Sequence, residues 1–310
     1  MNNLEANILD ISRNYYKYLL SLENVNGIGM GYKWINNKTT LEHCIHVLVE
    51  NKIHEKYISH NNIIPKTYMG IKTDVINVGK PKKLYGEVIP EKIRPLKGGC
   101  SIAAYNGDFH GTLGCIVTKI KEDQLQYYIL SNNHVLSEEG ELPLGTPIIQ
   151  PSDFFGGTIK NDKVASLSNV VKLKYIEENK KPSNYVDCAI ARLIDGIPIS
   201  NEIIDIGKIN GVANPIVNSN VKKVGFVTGL TEGSITSIGV TIEMDFNKPI
   251  LFKEQIVANL DHSNGDSGSI VLNEDNKAIG ILCAGSGKSI AYINDINIVL
   301  RLLKVKIYTD

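Results

Sequence analysis

Hydrophobic and polar positions recur along this chain with two different periods. Leu4, Ile8, Ile11, Tyr15, Leu19 and Leu22 return every three or four residues, which predicts an amphipathic helix closed by Asn24-Val25-Asn26-Gly27. The period then shortens to two. "GIGMGYKW", the turn "INNK" and "EHCIHVLVE", with Ile45, Val47 and Val49 alternating, predict a hairpin. "IHEKYISHNN" suits a short helix, and "YMGIKTDVINVG" two strand pieces around Gly70. Residues 1–80 thus read as a small α+β domain. Residues 81–97 follow as a linker rich in Pro, Lys and Gly. From residue 98 to 310 short apolar runs repeat at modest spacing, among them "GCIVTKI", "YYILSNN", "DCAIARL", "GSITSIGVTIEM", "GSIVLN" and "AIGILCAG". Gly, Pro, Asn and Asp separate them, which predicts an all-β pair of barrels or a sandwich. Near the end Ile293, Ile296, Val299, Leu300 and Leu303 form one more helical stripe.

Composition narrows the classes. The 310 residues are 43% apolar and 21% charged, a globular profile, and the formal net charge is zero. A balanced chain argues against a broad nucleic-acid surface. No apolar run is long enough to span a bilayer, and "MNNLEANILDISR" carries early acids where a secretory leader has a continuous apolar core. The five cysteines, Cys44, Cys100, Cys115, Cys188 and Cys283, are odd in number and widely spaced. Free thiols in a reducing cytoplasm are the expectation.

Candidate chemistry starts at "DHSNGDSGSIV", residues 261–271. Two glycines beside an acid and a serine make a poor strand and a good tight turn. Ser267 is either a turn residue or an exposed nucleophile. The second reading needs a neutral imidazole to take its proton and a carboxylate to orient that imidazole. His43 and His46 lie three apart on a predicted strand, a poor metal pair. His54, His60 and His110 lie in polar loop text, and His262 reads as a solvated loop histidine. His134 differs, because "YYILSNNHVLS" sets it where an apolar strand ends and a turn begins. Asp187 in "YVDCAIARL" enters an apolar run with no other acid, which is costly without a hydrogen-bonding partner. A turn or a cap is its structural alternative.

"LSNNHVL", "VDCAIARL" and "GDSGS" together resemble the His, Asp and Ser segments of trypsin-like serine proteases, in that order. "GTLGCIV" is similar to the strand before the catalytic histidine, and "AIGILCAGSG" to the substrate-binding strand. The resemblance spans roughly residues 97–305, and its nearest group is the bacterial and plant narrow-leaf peptidases. It implies a mainly β, chymotrypsin-like double β-barrel, split at about 98–195 and 196–310, with the small N-terminal α+β domain and a C-terminal helix. It implies a serine endopeptidase acting through an acyl-enzyme, with His134 as base and then acid, Asp187 as orienter and Ser267 as nucleophile. The backbone N–H groups of Gly265 and Ser267 would form the oxyanion hole, and Gly268 would permit close packing behind the nucleophile. No cofactor and no metal are implied.

Departures from the family pattern carry information. Val135 stands where secreted members keep a cysteine to pair with the counterpart of Cys115, which suits an intracellular enzyme. Asp266, the acid that a newly cut N-terminus often completes, follows a long N-terminal region. An internal group is the expectation, with cleavage in 90–99 as the other route. For the pocket, the resemblance implies Asp261 as floor and Cys283, Gly285 and Ile290 as wall. Asp261 would attract Arg or Lys, while Ile290 would fill the pocket. Close packing is the stronger constraint, so a shallow pocket for small or medium aliphatic side chains is expected, with Asp261 solvated or bonded to backbone amides. The expected partner is a protein or peptide substrate, with a regulatory protein on the N-terminal domain as a further expectation; a homo-oligomer is compatible with the sequence. A silent protease-fold scaffold and a serine esterase are the competing readings.

Overall fold

The structure is a computed structural model that describes residues 3–35, 38–83 and 91–309. Among the described residues there are three sheets, of twelve, eight and three strands. The N-terminal stripe forms a helix, Asn3–Asn14, and a separate turn of helix, Lys17–Leu20. Ile8, Ile11, Leu19 and Leu22 of the stripe are buried, as the three- and four-residue spacing requires, whereas Leu4 and Tyr15 are exposed and Leu9, off the stripe, is buried. The predicted hairpin is present as Val25–Ile35 paired with Lys38–Val49. "IHEKYISHNN" makes two short 3-10 turns, Glu55–Tyr57 and His60–Asn62, in place of one helix. The C-terminal stripe is the helix Ile296–Leu303, capped by the Asp295 side chain; Ile293 precedes it on a strand.

The eight-stranded sheet is the first barrel half. Its strands include Cys115–Lys121, Gln124–Ser131, Lys163–Val170 and Ala189–Leu193. Ile102, Leu113, Ile116, Ile129, Leu136, Ile148 and Val164 fill its centre. The twelve-stranded sheet holds the second half, including Asn220–Gly225, the long hairpin Gly229–Asp245 with Pro249–Leu260, and the strands Ile270–Asn273, Ala278–Ser286 and Ile290–Asp295. A further core joins the halves. It brings Cys115, Val117 and Leu130 from the first against Ile270, Leu272 and Ile281 from the second, with Ile296, Val299 and Leu303 of the terminal helix closing it.

The sequence boundary at residue 80 does not coincide with a break in the hydrogen bonding. Val25–Ile35 pairs antiparallel with Gly229–Asp245, with Gly27 opposite Ile242 and Met30 opposite Ile238, so the N-terminal hairpin extends the second sheet. Its apolar residues share a cluster with Val217 and Leu251. Of the expected linker, residues 84–90 lie outside the described residues, Lys82–Lys83 forms a short strand, and Leu96–Gly98 pairs in parallel with Ile199–Ile203. A chain begun at residue 91 will therefore expose both a strand edge and an apolar face, and should aggregate or lose cooperative unfolding. A monomeric 91–310 fragment with the full chain's midpoint in urea would show the N-terminal residues to be separable.

Candidate active site

Strand register brings the candidate base and acid together. Gln124–Ser131 and Ala189–Leu193 are antiparallel neighbours with Ser131 opposite Ala189. The chain leaving Ser131 and the chain entering Ala189 thus emerge at the same end of the sheet. His134 sits on the short helix Asn133–Ser137 just beyond one, and Asp187 just before the other. His134 Nδ1 lies 2.5 Å from Asp187 Oδ2, and the His134 backbone N–H donates to Asp187 Oδ1 at 3.2 Å. Asn132 Nδ2 donates to the Asp187 carbonyl at 2.7 Å. From the second sheet, Asn294 Oδ1 accepts the Asp187 N–H at 2.7 Å. Both side chains are buried; two bonds hold the carboxylate at His134, and two more fix the Asp187 backbone that carries it. The ring of Phe246, at the tip of the long hairpin, stands edge-on to His134 at 6.0 Å between centroids.

Ser267 comes from the second sheet on the turn before Ile270–Asn273. Thr112, fully buried in the first half, fixes this turn at two points. Its N–H donates to the Ser267 carbonyl at 2.8 Å and its hydroxyl to the Gly265 carbonyl at 2.9 Å. A Cβ placed on neighbouring Gly111 would meet both Val135 and the Ser267 carbonyl oxygen within 3 Å, so the Ser267 turn lies directly against the helix that carries His134. His134 Nε2 and Ser267 Oγ are both buried, and neither has a hydrogen-bond partner among the described residues. The Oγ–Nε2 bond itself is not formed; catalytic bonds of this kind often tighten only around substrate.

The glycines of the turn have distinct jobs. Gly265 has φ +98°, a left-handed conformation that a side chain would strain, and a Cβ there would strike Val227 and Phe226. Gly268 packs so closely that a Cβ would lie 2.2 Å from both the Thr112 carbonyl oxygen and Ser131 Oγ. The amides of Gly265 and Ser267 flank Asp266, whose own N–H is turned back to the Ser263 carbonyl.

Asp266 has an internal counter-ion. Lys223 Nζ lies 2.8 Å from Asp266 Oδ2, with both side chains fully buried. Thr228 Oγ1, the N–H groups of Val227 and Thr228, and the Ser263 N–H complete the carboxylate's shell at 2.6–3.2 Å. Burial pushes the Lys223 ammonium down and the Asp266 charge pushes it back up. Of the two expected routes, this is the internal one: Asp266 needs no newly cut N-terminus as its partner. In sequence Lys223 is readable only by period, because it shares a strand face with buried Val221.

The expected pocket is rearranged. Asp261 is exposed, accepting from Ser289 Oγ at 2.7 Å, so it is not a buried floor. Cys283 is in the core, where its sulfur accepts from Asn294 Nδ2 at 3.2 Å, so it does not line a pocket. Ile290 is half-buried and contributes its carbonyl, which lies 2.9 Å from His262 Nε2. The side chain packed against this strand is His262, which is buried, not solvated as the loop text suggested. Its ring lies over Gly285, where a Cβ would sit 2.1 Å from Cε1 and 2.3 Å from Nε2. Nε2–H donates to the Ile290 carbonyl, which leaves Nδ1 as a buried acceptor with no partner among the described residues. Burial pushes the His262 pKa below the ordinary imidazole value, so the ring is neutral at neutral pH.

Elsewhere, the ligand atoms of Cys44, His46 and Asp74 lie within 4.8 Å of one another. Both His46 nitrogens are engaged, Nδ1 with Ser237 Oγ at 2.7 Å and Nε2 with the Tyr32 carbonyl at 2.8 Å, so this buried ring offers no lone pair to an ion. All five cysteines are free and buried. Burial pushes the Cys44, Cys100 and Cys115 thiols up to about 12 and those of Cys188 and Cys283 well above their ordinary value, which makes them poor nucleophiles. No helix among the described residues is long and apolar enough to cross a membrane.

This arrangement is a mostly β protease fold, two sheet halves with a histidine and an acid from the first and a serine from the second. Residues 200–296 match Peptidase S7, the flavivirus NS3 serine protease family. No curated protein sequence matches the chain. Among solved structures it is similar to protease A of Thermobifida fusca, at 17% identity and a TM-score of 0.51, covering 69% of this chain and 98% of that one. It is similar to the Nocardiopsis protease NAPase at 18% identity and a TM-score of 0.51, with the same coverage. The fold is that of the trypsin-like serine proteases.

Proposed function

We propose that this protein is a serine endopeptidase in which Ser267, His134 and Asp187 form the catalytic triad. The observation that carries the reading is the buried His134–Asp187 pair, with the imidazole's Nε2 and the nearby Ser267 hydroxyl both lacking partners among the described residues. Buried polar groups without partners are uncommon and need a reason, and two of them in adjoining elements have one in a proton to exchange. Asp187 holds the Nδ1–H tautomer, which leaves the Nε2 lone pair as base. Ser267 Oγ attacks the scissile carbonyl carbon while its proton passes to Nε2. The carbonyl oxygen becomes an oxyanion facing the Gly265 and Ser267 amides. As the tetrahedral intermediate collapses, the C–N bond breaks and Nε2–H protonates the leaving amine. Water then attacks the Ser267 ester by the same route, releasing the acid and restoring the serine hydroxyl. The test is a fluorophosphonate that bonds to Ser267, followed by matched peptide and ester libraries. Labelling with ester but no amide turnover would make the protein an esterase, and no labelling a silent scaffold.

For specificity we propose a shallow pocket closed by His262 that takes small or medium aliphatic side chains before the scissile bond. The ring's position over Gly285 supports this, as does the exposed place of Asp261. His262→Ala should raise kcat/KM for Phe peptides relative to Ala peptides by about 10- to 200-fold, the discrimination that small changes in an apolar pocket supply. Unchanged selectivity, or wild-type cleavage chiefly after Arg or Lys, would overturn the assignment. A reducing, cytoplasmic setting is proposed on the five buried thiols and on Val135 following His134.

A further inference from the structure

We infer that residues 80–83 of this chain hold the place of the substrate's acyl-side strand and compete with substrate for it. The inference rests on the peptidase reading above. The strand Ala278–Ser286 is tied to the nucleophile turn, since the Gly268 N–H donates to the Leu282 carbonyl and the Leu282 N–H to the Ser269 carbonyl, both at 2.9 Å. Cys283, Ala284 and Gly285 therefore follow directly past the nucleophile. An extended peptide delivering its carbonyl to Ser267 would add to this stretch as an antiparallel strand, recognised through backbone hydrogen bonds.

That edge is already taken. Lys83 is opposite Ala284 and Lys82 opposite Gly285, in antiparallel register, the polarity that the acyl side of a substrate would need. On its other side Lys82 pairs with Asp245. The residues leading in are anchored one by one. Val78 is buried in the cluster that contains Cys283, Ala284 and Tyr292. Gly79 passes so close to Ser286 that a Cβ would lie 2.4 Å from its hydroxyl. Lys80 Nζ bonds Asp245 Oδ2 at 2.6 Å, and Pro81 is buried. Asp245 precedes Phe246, whose ring stands against His134, so this strap is fastened on both flanks of the site. A two-residue pairing is short, so the strap weakens substrate binding without abolishing it. The apparent affinity falls by the fraction of molecules in which the edge is free.

Two substitution sets loosen the strap from different sides. Lys82→Pro with Lys83→Pro removes the backbone N–H groups of the pairing, and Lys80→Glu sets a like charge against Asp245. Full-length proteins are compared on a tetrapeptide anilide ending in Ala and on a single-residue acetyl-alanine ester, which cannot reach Ala284 or Gly285. The expected result is a KM for the tetrapeptide about tenfold lower in both variants, with kcat and ester turnover unchanged. Normal fluorophosphonate labelling with an unchanged tetrapeptide KM in both overturns the strap alone. No labelling in any form removes the peptidase reading and the strap with it. Hydrogen exchange on the unsubstituted chain gives an independent answer: a saturating tetrapeptide boronate should strip protection from the amides of residues 82–83. Protection retained at saturation overturns the inference.

Discussion

Ser267→Ala is expected to lower turnover by about a millionfold, the loss typical of removing a nucleophile from a triad. It should leave the fold at least as stable as before. Ser267 Oγ is buried without a partner among the described residues, so the hydroxyl contributes no bond that alanine would forfeit. The folded state loses only an unsatisfied polar group, a change worth about 1–3 kcal/mol in the favourable direction. A single-turnover assay and a urea titration measure the two effects separately. Retained peptide cleavage would dismiss Ser267 as nucleophile. A large drop in stability would mean that the hydroxyl has a structural bond, and the orphaned pair at 134 and 267 would lose its catalytic explanation.

Lys223→Met is the second large effect. It leaves the Asp266 carboxylate at zero exposure with backbone and hydroxyl donors but no counter-charge. Breaking one side of a buried pair costs about 3–5 kcal/mol, whereas replacing both sides with apolar groups can be nearly neutral. Asp266 lies between the two amides proposed to face the oxyanion, so the turn that relaxes around it should lose at least one donor. That lowers kcat by about 100- to 1,000-fold. Pairing the change with Asp266→Asn should recover part of the stability but not the rate, a non-additivity that a double-mutant cycle reads directly. A single Lys223→Met variant with wild-type stability and activity would sink the role given to this pair.

Much of the architecture is legible in the sequence because burial imposes simple periods. The stripe Ile296, Val299 and Leu303 is legible as a helix face, and Ile45, Val47 and Val49 as one side of a strand. The segments around His134 and Asp187 are legible for a related reason: His134 is in polar text just after an apolar strand and Asp187 is a lone acid just before one, and the structure brings their side chains into one buried pair. What sequence reasoning missed depends on packing across elements. His262 stands in a run of Asp, Ser and Asn that reads as solvated, yet Gly285 leaves a space on a neighbouring strand that the imidazole occupies. Lys223 carries a faint signal, an inward-facing position beside Val221, but lysine pairs are ordinarily surface text. Phe246 carries none, since its contact with His134 depends on the reach of a long hairpin. The same holds for the N-terminal hairpin: its strands were expected, but its junction with residues 238–242 is a long-range pairing that local periodicity does not encode.

Thr112 has a consequence in time as well as in space. The turn carrying Ser267 takes its shape from an N–H and a hydroxyl that belong to the other sheet, more than a hundred residues earlier in the chain. Pairings so distant in sequence carry a large loop-closure cost and are expected to form late, after each half has collapsed on its own. Until they do, Ser267 is one more serine in a loose loop. On the proposed peptidase reading, a chain still folding, surrounded by its own unprotected segments and those of its neighbours, would be harmless to them, and would acquire its cutting edge only when there is no longer an unfolded self to cut.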